Sequence, residues 1–150
     1  FKKVCEKLNA KSIISDLDDD SDEPLSISGI SEMIKQNLTE KEYDYIFTHG
    51  ENGEYGHIRH VGVHEAMKSL VKTRDLTCEY LWFFSYIPGT EKSFHDQETI
   101  IPVPNEKSDW VVSLTEEEHK QKISLVVDVY GFQNPTFESQ ACAKKEAFSK

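Results

Sequence analysis

Apolar residues recur along the chain at spacings that predict alternating helices and strands. Phe1, Val4, Cys5 and Leu8 fall on one helical face of residues 1–9, and Ser12-Ile13-Ile14-Ser15 reads as a short buried strand. Ile27, Ile30, Ile34 and Leu38 repeat at helical spacing over Ile27 to Leu38, after Pro24 and a serine-rich lead-in. Tyr45-Ile46-Phe47-Thr48 is the next strand. A glycine-rich loop, His49 to Gly56, separates it from a helix running from about His57 to Thr73. Glu79 to Ile87 is an aromatic strand ended by Pro88-Gly89, and residues 90–108 read as polar and irregular. Trp110 to Leu114 predicts a short strand. Thr115 with Glu118 forms a capping box for a helix carrying Ile123, Val126, Val127 and Tyr130, and a last helix covers roughly Glu138 to Phe148.

Strands alternating with helices imply βαβ units, hence an α/β class domain with a mainly parallel sheet and sites at the carboxyl ends of its strands. The 150 residues suffice for one domain with its own core, here 1–150. The aromatic and β-branched content argues against disorder, and no apolar run approaches the ~18 residues of a membrane span. The net charge of −10 argues against nucleic acid or an anionic membrane as the main partner. Six acids lie within the eight residues Asp16 to Glu23, a solvated loop, because adjacent carboxylates repel and resist burial. It lacks the glycine and glutamate that a calcium loop places at its sixth and twelfth positions. Cys5, Cys78 and Cys142 form no metal or disulfide pattern, which suits a reducing, cytoplasmic setting.

The candidate chemistry is concentrated between residues 49 and 64, which hold His49, His57, His60 and His64. Gly56-His57-Ile58-Arg59-His60 is a GHxxH, whose histidines at i and i+3 share a helix face. Imidazole is a common metal ligand and a general acid near neutral pH, and Gly50, Gly53 and Gly56 let backbone approach a ligand closely. His64 reads instead as a packed or half-exposed helix residue, and His95 and His119 as surface histidines. Trp82, Phe83, Phe84 and Tyr86 suit either a ligand platform or a core.

Ile46-Phe47-Thr48-His49-Gly50-Glu51-Asn52-Gly53-Glu54-Tyr55-Gly56-His57-Ile58-Arg59-His60 resembles the second motif of the PIG-L/LmbE family, zinc-dependent deacetylases of N-acetylglucosamine conjugates. Residues 122–133 resemble its late helix, Glu146-Ala147-Phe148 its closing Glu-x-Phe, and Phe1 to Asn9 an early helix, so the likeness runs through nearly the whole chain. The resemblance implies a Rossmann-like three-layer fold. It implies that His60 is a zinc ligand, the one supplied by this half of the site. It also implies that His57 faces the scissile amide, stabilises the tetrahedral oxyanion and protonates the leaving amine. Asp19 and His49 would bind the substrate, a small N-acetylated amino-sugar conjugate.

The family's His-Pro-Asp-Asp segment, which carries the other ligands and the general base, has no counterpart in the 150 residues. Phe1 stands where a helix is already under way. Together these lead to the expectation that an amino-terminal strand–helix unit precedes the chain, that the chain alone is inactive, and that an unpaired sheet edge favours an oligomer. The alternative is a non-catalytic glycan- or protein-binding module derived from the same family.

Overall fold

A computed structural model describes residues 1–17, 23–94 and 97–150. After a short helix α1 (Lys2–Lys7), helix α2 (Ile27–Asn37) starts at Ser26, whose Oγ accepts the Gly29 N–H at 3.1 Å. Strand β1 (Glu42–Thr48) leads through a single turn, α3 (Gly53–Gly56), into α4 (Ile58–Lys72) and then β2 (Thr77–Phe84). β1 and β2 pair in parallel with α4 as the connection, so this part is the βαβ unit expected from the alternation. Met67, Leu70 and Leu76 form the buried centre, packed by Ile34 of α2, by Leu38 just past its end and by Tyr43 and Ile46 of β1. Gly62 lets α4 lie close against α2: a Cβ there would stand 2.7 Å from Cδ1 of buried Ile30.

The remaining chain departs from a mainly parallel sheet. Strands β3 (Tyr86–Phe94) and β4 (Gln97–Pro104) form a separate antiparallel ribbon where the sequence predicted a strand end and an irregular stretch. Prolines hide this hairpin, yet Pro88 pairs with Pro102 and Tyr86 with Pro104. In a two-stranded ribbon every residue is at an edge, so a missing N–H breaks no central ladder. Strand β5 (Trp110–Ser113) precedes α5 (Glu116–Ser124), which begins with the predicted capping box and continues as a π-helical segment to Tyr130.

The predicted last helix is only α6 (Phe137–Ala141), followed by strand β6 (Lys145–Ser149). Residues 141–147 have good helix propensity, but β6 gains pairing with both β2 and β5 and buries Ala147 and Phe148. The result is a mixed α/β protein with a four-stranded sheet ordered β1-β2-β6-β5, parallel only at β1–β2.

Ser12 to Ser15 is not a strand. Ile13 and Ile14 are exposed, and no described strand pairs with the segment. One face of β1–β2 is packed by α4, with α2 lying against α4. The other carries a continuous run of rings, Tyr45, Phe47, Tyr80, Trp82, Trp110 and Phe148, in which Tyr45, Phe47 and Trp110 stay exposed. Among the described residues, no helix is long and apolar enough to cross a membrane.

Candidate functional site

The site is built where β1 ends and the glycine loop turns into α4. His49 is the first residue past β1. Gly50 follows it with its backbone pressed against β2, where an added Cβ would stand 2.2 Å from the Phe84 carbonyl oxygen. Asn52 then anchors the loop: its Nδ2 donates to Tyr86 O at 2.8 Å, and its Oδ1 accepts the Glu54 N–H at 3.1 Å. Glu54 itself adopts φ 62° and ψ −49°, a left-handed conformation that costs a residue with a Cβ on the order of 1–3 kcal/mol. His57 caps α4 with extended backbone, and His60 follows one turn later.

The strained backbone delivers Glu54 to the histidines. Its Oε2 lies 3.0 Å from His49 Nδ1 and 2.5 Å from His60 Nδ1, while Oε1 accepts the Gly50 N–H at 2.7 Å. The His49 and His60 rings stack with centroids 3.7 Å apart and planes 15° from parallel. An ionised carboxylate can only accept, so each Nδ1 is the donor and each Nε2 lies on the opposite side of its ring. The Glu54 side chain is 10% exposed, and burial alone would raise its pKa. Hydrogen bonds from His49, His60 and the Gly50 N–H outweigh that and hold it at about 2.

His57 stands beside this trio, its ring centroid 4.4 Å from that of His60, and Tyr55 presents its edge to both rings at 5.6 and 5.5 Å. The trio opens on a cleft of about 350 Å³ whose apolar wall includes Tyr55, Phe84 and Phe137. The same cleft is lined by a polar group from elsewhere in the chain. Glu146 on β6 accepts from the Tyr86 hydroxyl and from the Lys122 ammonium, and Lys122 also donates to Ala143 O at 3.0 Å. Burial, with the Glu146 hydrogen bond and charge, pushes the Tyr86 phenol far up, so it remains a proton donor.

Candidate ligand atoms of His49, Glu54 and His60 all lie within 4.8 Å of one another. Two imidazoles and one ionised carboxylate are a donor set that suits a divalent transition metal. The sequence pointed to His60 as the ligand from this half, with His49 toward substrate. The structure brings both together with Glu54, which the sequence reading passed over; its one signal was an acid inside the glycine loop, six residues before His60. Tyr86, Lys122 and Glu146 were also missed as a group, because only the β6 pairing joins them.

Asp19 lies outside the described residues, as does His95. His64 is buried, as a packed helix residue should be. His119 is half-buried rather than a solvated surface residue, its Nε2 meeting Cys142 O at 2.8 Å. Trp82 and Phe83 are buried, whereas Phe84 and Tyr86 line the cleft. The three cysteines are unpaired thiols. In comparisons with known proteins, no family model matches the chain, and no curated protein or solved structure is significantly similar to it.

Proposed function

We propose that this chain carries the histidine half of a zinc-dependent N-deacetylase-type site, which hydrolyses the amide of an N-acetylglucosamine-containing substrate. The observation that supports it most is the Glu54 carboxylate gathering His49 and His60 at the mouth of a cleft, with His57 alongside. The Rossmann-like three-layer arrangement belongs to the same proposal and draws on the parallel β1–α4–β2 unit.

In this reading His49, Glu54 and His60 hold the zinc. When bound, the ion lowers the pKa of a coordinated water and polarises the amide carbonyl. The Nδ1 atoms of His49 and His60 face the Glu54 carboxylate, so the ion would take the place of the protons that now lie between them. His57, at the start of α4, donates to the oxyanion of the tetrahedral intermediate and passes a proton to the departing amine. Tyr55, Phe84 and Phe137 exclude water from the acetyl group. The carboxylate that takes the proton of the attacking water is the one the resemblance assigns to a His-Pro-Asp-Asp segment, which these 150 residues do not contain.

The test is acetate release from N-acetylglucosamine conjugates by the protein as encoded, with zinc added and with zinc chelated. Zinc-dependent release supports the reading. Binding of the conjugate with no acetate release under either condition would favour the non-catalytic module.

A further inference from the structure

We propose that a second cleft, beside β2 on the α4 side, binds a neutral polyhydroxylated small molecule through a hydroxyl that donates to His64 Nε2. This rests on no part of the deacetylase reading. His64 lies on α4 with its side chain 5% exposed, and its Nδ1 donates to the His49 carbonyl oxygen at 2.9 Å. With the proton fixed on Nδ1, Nε2 of the neutral ring is an acceptor. Among the described residues that buried atom has no hydrogen-bond partner; Glu65 Oε1 is 3.6 Å away, beyond hydrogen-bond reach. A buried acceptor left unmatched is costly, so a donor is called for.

His64 forms part of the wall of a cleft of about 500 Å³, within the size range of small-molecule sites. Ser85, Asn105 and Ser149 give it a lining of hydroxyl and amide groups, and Phe83 and Phe84 supply apolar surface. Phe83 also lies against the imidazole, with ring centroids 4.5 Å apart. That mixture suits a molecule with hydroxyls at its edge and C–H groups on its face.

The two lysines of the cleft do not call for an anion. Lys68 Nζ is 3.5 Å from Glu65 Oε1, and Lys150 lies over the Tyr80 and Trp82 rings at 5.7 and 5.2 Å. Their charges are already partnered, and Glu51 adds a negative charge to the lining. The unmet need is one donor, which a hydroxyl supplies and a phosphate dianion does not.

The experiment is NMR titration of the ¹⁵N-labelled protein with myo-inositol, with glucose and, separately, with inorganic phosphate, following the His64 ring nitrogens and the Ser85 and Asn105 amides. The expected result is a saturable shift of Nε2 with a neutral polyol, accompanied by the two amides, and about tenfold weaker binding in His64→Phe. The wild-type ring signal decides the matter if that variant fails to fold. No saturable shift with either polyol means the cleft holds water only and overturns the proposal. A response to phosphate alone, or polyol binding unchanged in a folded His64→Phe protein, overturns it equally.

Discussion

Glu54 Oε2 stands 2.5 Å from Nδ1 of His60 and, through the same oxygen, 3.0 Å from Nδ1 of His49. One atom therefore orients two stacked imidazoles. Glu54→Gln keeps the size but puts a neutral amide where both rings need a full acceptor. Zinc affinity is expected to fall at least about 10–100-fold, because a ligating carboxylate becomes a neutral amide. Equilibrium dialysis against a zinc-buffered series measures this, and unchanged affinity would remove Glu54 from the site.

The same contacts set an acid limit on the metal-free protein. The Glu54 pKa is held at about 2 in the fold, against an ordinary value of 4.5. A depressed carboxylate stabilises the fold above the higher value and loses that contribution as pH falls toward the lower. Stability should decline between about pH 4.5 and 2 more steeply in the wild type than in Glu54→Gln, as urea unfolding across that range will read. Equal slopes would contradict the pairing.

Gly50 is held by a neighbouring backbone. In Gly50→Ala the new Cβ meets the Phe84 carbonyl oxygen at 2.2 Å, and neither backbone can yield without moving the loop that carries His49 and Glu54. A loss of about 1–3 kcal/mol is expected, together with weaker zinc binding. Thermal denaturation and the dialysis series read the two effects on one sample.

Thr115→Ala should act on the fold alone. Thr115 Oγ1 accepts the Glu118 N–H at 3.2 Å, and the Glu118 carboxylate accepts the Thr115 N–H at 2.8 Å. Losing this cap should cost about 1 kcal/mol and leave zinc affinity unchanged.

The parts of this molecule that were legible in sequence are those decided locally. The α2 and α4 helices, the Thr115 cap, and the clustering of His49, His57 and His60 all follow from neighbours within a few residues. What was not legible depends on distant partners. Lys145 to Ser149 is a strand because Phe84 and Trp110 lie on either side of Phe148. Ser12 to Ser15 has strand composition and no described partner, so it is not one. Glu54 joined the site through a left-handed backbone that propensity alone disfavours, and Glu146 through the β6 pairing that carries it toward Tyr86.

The division of labour between His60 and His57 is the most direct handle on the proposed chemistry. Zinc content and acetate release from an N-acetylglucosamine conjugate should be measured together on the wild-type protein as encoded, on His60→Ala and on His57→Ala. The account predicts that His60→Ala loses both, while His57→Ala keeps its zinc and loses at least about 100-fold in kcat. Wild-type protein that holds zinc yet releases no acetate, or a His57→Ala variant as active as wild type, would contradict it.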